Sequence, residues 1–88
     1  MAYKNIINEL QILINEAKNM PEPKKSEMLK LINNLKTELE KKPEDKNSAK
    51  LTESKNDLET MVEEFEISHP VLTENMASLL NLLSNLGI

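Results

Sequence analysis

The sequence predicts an all-α protein, with four helices laid out as antiparallel hairpins in the manner of a four-helix bundle. Three observations point there. Apolar residues recur at steps of three and four through four successive stretches. Prolines punctuate those stretches, at Pro21 and Pro23, at Pro43 and at Pro70. Nothing alternates over enough residues to make a strand. The stretches are matched, at about 17 to 19 residues, and their links are short, which favours antiparallel neighbours.

The first helix is expected from Tyr3 to Asn19. Tyr3, Ile6, Ile7, Leu10, Leu13, Ile14 and Ala17 form its stripe, and Ile12 falls off it. Met20-Pro21-Glu22-Pro23 is the break, because a proline ends one helix and is tolerated in the first turn of the next. The second helix is expected from Pro23 to Lys41. Met28, Leu31, Ile32, Leu35 and Leu39 mark its inner face, and Lys24, Lys25, Lys30, Lys36, Glu38 and Glu40 its wet one. Lys42 to Ser48 is charged, polar and broken by proline, hence a loop. Asn47 or Ser48 is placed to cap the third helix.

That helix is expected from Ala49 to Ile67, with Leu51, Leu58, Met61, Val62 and Phe65 inward. Between Asn47 and His69, two lysines face six acids, a local charge of -4 that equals the net charge of the chain. The break before the last helix is Ser68-His69-Pro70. The fourth helix is expected from Pro70 to Leu86, stopped by Gly87. Leu72, Met76, Leu79, Leu80, Leu83 and Leu86 form its stripe, and Val71 and Leu82 lie outside it. Thr73, Ala77, Asn81 and Ser84 make a small, neutral remaining face, and Glu74 is the one charged residue from Pro70 to Leu86. The short link at Ser68-His69 also admits a rival geometry, one long helix kinked at Pro70.

With 88 residues the chain makes a single small domain, built of two hairpins at about 1–42 and 48–88. Leu, Ile, Val and Phe number 24, above the ~20% below which chains stay disordered. So short a chain has a thin core, and a partner subunit is one way to thicken it.

Composition removes several function classes. There is no Cys, so no disulfide, thiolate metal site or thiol nucleophile is available. The single His cannot build a His-rich metal centre. The single Gly, Gly87, excludes Gly-rich phosphate loops and dinucleotide fingerprints. All 11 basic residues are Lys, and the net charge of -4 argues against binding nucleic acid. Charges at Lys4, Glu9, Glu16 and Lys18 interrupt the first stretch, which suits neither a secretion signal nor a membrane span. A cytoplasmic location is the resulting expectation.

The stretch Phe65-Glu66-Ile67-Ser68-His69-Pro70-Val71-Leu72, together with the ending Asn85-Leu86-Gly87-Ile88, is distinctive. It resembles the tail of a family of small bacterial proteins, domain of unknown function 4404. The phenylalanine-glutamate pair, the histidine-proline pair, the leucine ladder and the glycine-isoleucine ending carry the likeness, over about the last 24 residues. The first half is similar in pattern only, with Lys and Asn where the family carries Arg. The resemblance implies a bacterial, all-helical small protein, and it supplies no activity and no functional residue.

Three candidate features remain. Glu66 and His69 have the Glu-x-x-His spacing that carboxylate metal bundles use on a helix face. A single copy beside a proline is ordinarily a helix-junction residue instead, so no cofactor is expected. Asp57, Glu63 and Glu64 form an acidic surface suited to a basic partner, although charge runs are usually solvated faces. The nearly uncharged fourth helix suits a buried core position or a subunit seam through Leu72, Leu79, Leu82, Leu83 and Leu86. It is also a candidate for lipid-surface contact, without the flanking Lys, Arg and Trp that interfacial helices carry. The expected function is therefore non-catalytic: a helical scaffold or interaction protein, homodimeric or bound to another helical protein. A metal-binding or peripheral membrane role is the alternative, and no small-molecule substrate is expected.

Overall fold

In the computed structural model, which describes residues 2–88, four α-helices follow one another: α1 (Ala2–Glu16), α2 (Glu22–Glu40), α3 (Ser48–Phe65) and α4 (Pro70–Asn85). One 3₁₀ turn, Pro43–Asp45, interrupts the α2–α3 link. Each helix packs on the next in the chain and α1 closes the ring on α4, while the diagonal pairs stay apart. Contacts between α1's end and α4's start, and between α2's start and α3's end, fix an up-down-up-down bundle. The bundle measures 40 × 22 × 19 Å.

The core is one cluster drawn from all four helices. Ile7, Leu10 and Ile14 come from α1; Met28, Leu31, Ile32, Leu35 and Leu39 from α2; Leu51, Leu58 and Phe65 from α3; Leu72, Met76, Leu79 and Leu83 from α4. These are positions three, four or, on α3, seven apart, so a single stripe per helix fills the interior.

Local chemistry sets the ends. Helix α1 stops at Glu16, three residues before the expected end at Asn19. Asn19 takes φ 60°, a left-handed conformation that Asn tolerates and that turns the chain. The turn returns Met20 to the core at 8% exposure, so this residue is a plug, not merely part of a break. Pro21 is the N-cap of α2, and Pro23 lies in its first turn, where no intrahelical N–H is needed.

At the other end of α2, Glu38 departs from the wet face assigned to it. It is 7% exposed, because the α2–α3 link folds back over it. The Asn47 main-chain N–H donates to its carboxylate at 2.7 Å, and the Lys41 ammonium lies 3.0 Å away. The Asn47 N–H, then Lys41, hold the Glu38 carboxyl below the usual glutamate value. Asn47 also caps α3, its side-chain oxygen accepting the Lys50 N–H at 3.1 Å.

The α3–α4 link is a tight corner, and the two helices pack as a hairpin, not as one kinked rod. Helix α4 ends one residue early, so Leu86 is the C-cap and 56% exposed instead of a core residue. Gly87, at φ 83°, closes the end. Its N–H donates to the Ser84 carbonyl at 3.0 Å, and the Ile88 N–H donates to that of Leu83 at 3.1 Å. This is the Schellman pattern, which needs a residue free to enter the left-handed region. Ile88 then lies half-buried against the core, and a main-chain oxygen of Ile88 accepts the Lys55 ammonium at 2.9 Å.

Candidate functional site

His69 lies at the centre of the corner. It follows the end of α3 and is the N-cap of α4, at φ -136° and ψ 66°. Its main-chain N–H donates to the Phe65 carbonyl at 2.8 Å. Its ring meets that of Phe65 edge-on, with centroids 5.8 Å apart. Nε2 lies 2.8 Å from the Lys18 carbonyl oxygen and Nδ1 lies 2.8 Å from the Ser68 hydroxyl. A carbonyl only accepts, so Nε2 donates to the Lys18 oxygen, and Nδ1 faces the Ser68 hydroxyl. The side chain thus ties the α3–α4 corner to the end of α1.

Glu66 and His69 lie beyond the last residue of α3. Spacing three apart shares a face only on a continuous helix, and the helix has ended at Phe65. Glu66 is exposed to solvent, and both ring nitrogens of His69 already face partners. Among the described residues, no three His, Asp or Glu side chains gather as a metal would require.

A family model described as a domain of unknown function (DUF4404) matches residues 4–88. The chain belongs to this family. Neither the curated proteins nor the solved structures provide a match. The tail that carried the resemblance has structural work in this DUF4404 chain. Phe65 and His69 build the corner, Pro70 opens α4, and Gly87 with Ile88 closes it.

The acidic residues do not share one surface. Asp57 and Glu64 line the groove between α2 and α3, where Glu64 pairs with Lys24 at 3.4 Å. Glu63 is exposed, and one residue along a helix is about 100° round its axis, which turns it away from Glu64. Exposed on both sides, the Lys24–Glu64 pair contributes only about 0.2 to 1 kcal/mol.

The leucines of the expected seam divide as well. Leu72, Leu79 and Leu83 are fully occupied within the bundle, at 4%, 0% and 0% exposure. A second protein reaches only Leu82, which is half-buried, and Leu86. Val71, 59% exposed, joins them. Positions 71, 75, 78, 82 and 86 follow the three-four step, so Val71, Asn75, Ser78, Leu82 and Leu86 share one flank of α4. Leu13, Glu16, Ala17, His69 and Val71 line a shallow pocket of about 240 Å³ there, between α1 and the start of α4. Thr73 is on the opposite flank and buried, its hydroxyl donating to the His69 and Pro70 carbonyls at 3.1 and 3.2 Å.

Sequence reasoning missed two features. Glu38 was hidden because its burial depends on a loop folded back from nine residues away. The α2–α3 groove was hidden because its walls come from two helices whose register only the fold supplies. Among the described residues, no helix is long and apolar enough to cross a membrane.

Proposed function

We propose that this protein is a non-catalytic helical interaction protein, acting by helix packing and associating with a second copy of itself through the α1–α4 side. The observation that carries the proposal is the flank of Val71, Leu82 and Leu86, apolar and accessible on the one helix with a single charge. Half-buried Ile6 and Leu13 continue it onto α1. A protein of charge -4 repels its own copies, and the repulsion is weakest where the charges are fewest. The pocket beside Leu13 and Val71 has room for a partner's aliphatic side chain.

Magnitude sets the strength of association. Two neighbouring helices present a face of about 24 by 20 Å, close to 500 Å² on each copy. Both copies together bury about 1,000 Å², short of the ~1,200 to 2,000 Å² of stable complexes. The dimer is therefore reversible and concentration-dependent, and a cytoplasmic location belongs to the same proposal. Light scattering on a sizing column tests it. The wild-type mass should rise toward twice that of the chain as concentration increases, and Leu82→Glu should hold it at the monomer. A wild-type mass that stays monomeric at millimolar concentration would refute self-association.

A further inference from the structure

On the side of the bundle opposite the α1–α4 face, α2 and α3 leave an open groove. It has two halves of about 400 Å³ each, and Leu31, Asn34 and Asp57 line both, so the halves are continuous. The groove runs from Lys24 beside Glu64 to Lys41 beside Lys50, about 26 Å, the length of a helix of about 17 residues. Half-buried Met61 gives one half an apolar floor, and Leu31, 8% exposed, shows only its edge between the two halves.

Its walls carry opposite charge. Lys24 reaches across from α2 to Glu64 on α3 at 3.4 Å and closes one end of the groove while also facing Glu27 at 3.8 Å, and Lys41 pairs with Glu38 at the other end. Of the remaining groove charges among the described residues, Lys30 stands on the α2 wall, and Lys50, Glu53 and Asp57 stand on the α3 wall. The uncommitted charge is thus positive on α2 and negative on α3, across a floor of Met61 and the edge of Leu31.

We infer that the α2–α3 groove docks an amphipathic helix of another protein, with an apolar stripe on Met61 and the edge of Leu31, acids along the edge facing α2 and lysines or arginines along the edge facing α3. An all-basic helix would meet Lys30, and an all-acidic one would meet Glu53 and Asp57, while Lys50 at the end of the α3 wall faces the Glu38 carboxylate. Only a helix with split edges satisfies both walls. The groove lies away from the α1–α4 flank, so the occupant binds monomer and dimer alike and the inference does not depend on self-association.

Fluorescence anisotropy of the full chain with three synthetic helical peptides tests this. All three share one leucine stripe, and their edges are glutamate/lysine, all lysine or all glutamate. The split-edge peptide should bind best. Asp57→Lys or Lys30→Glu should each weaken it about three- to tenfold, the reach of one or two exposed charge pairs lost and reversed. The Lys30→Glu/Asp57→Lys double variant should regain affinity, because the walls exchange sign and the peptide binds end-for-end. Glu63→Lys, outside the groove, should change nothing. Absence of split-edge binding, preference for the all-lysine peptide, or equal weakening by Glu63→Lys and Asp57→Lys would overturn the inference. Circular dichroism of each variant separates lost binding from lost folding.

Discussion

Leu79 and Leu86 lie on one predicted stripe of the last helix, yet the structure separates them sharply, at 0% and 56% exposure. Replacing each by Ala therefore tests the register and the end of α4 together. Leu79→Ala removes the equivalent of three buried carbons, worth about 2.4 kcal/mol in transfer free energy. The cavity left behind raises the total into the range of about 2 to 5 kcal/mol seen for buried leucines. In a domain of this size a loss of about 3 kcal/mol lowers Tm by about 12 to 24 °C. Leu86→Ala, at a solvated C-cap, should stay within about 0.5 kcal/mol. Thermal melting by circular dichroism in dilute solution reads both. Equal loss in the two variants would place Leu86 in the core and refute the Gly87 closure of α4.

The remaining predictions concern single polar groups and the chain end. Glu38 has its carboxyl pKa lowered by the Asn47 N–H and Lys41, so it stabilises the fold above its unfolded-state value, and that contribution disappears as pH falls through the lower folded-state value. The urea midpoint of wild type should exceed that of Glu38→Gln at about pH 7, with the gap closing on acidification below about pH 4; a gap that widens in acid would contradict the assignment. Gly87→Ala should destabilise by about 1 to 2 kcal/mol through its left-handed φ alone, since an added Cβ meets nothing within 4 Å; an unchanged melting curve would count against the Schellman closure. His69→Ala should cost about 1 kcal/mol through the lost Lys18 bond, and elemental analysis of dialysed wild type should find no stoichiometric metal. Bound iron, manganese or zinc that the variant loses would make His69 a ligand after all.

The sequence was most informative where a signal is local. Proline placed the starts of α2 and α4, Asn47, one of the two expected caps, begins α3, and the stripe Met28, Leu31, Ile32, Leu35 and Leu39 is buried throughout. Periodicity carries no information on where a helix stops. Leu86 fits the stripe of α4 by number, but Gly87 turns the chain and leaves it in solvent. Ala17 falls beyond the end of α1 at Glu16, ahead of the left-handed turn at Asn19, yet still packs partly buried against the core. Met20 and Glu38 are buried by segments that return from elsewhere, an outcome of tertiary contact with no periodic trace. The spacing of Glu66 and His69 suggested a shared helix face, but α3 ends at Phe65, before either residue. Asp57 was singled out for its charge alone. Its place on the negative wall of a groove depends on α2 lying beside it.

The α1–α4 flank as a self-association surface is tested most directly by a dilution series of amide ¹H–¹⁵N spectra. Concentration-dependent shifts should concentrate at Ile6, Leu13, Val71, Ser78, Leu82 and Leu86 and vanish in Leu82→Glu. Shifts gathered instead along Leu31, Asn34 and Asp57, or spectra that do not change with concentration, would contradict it.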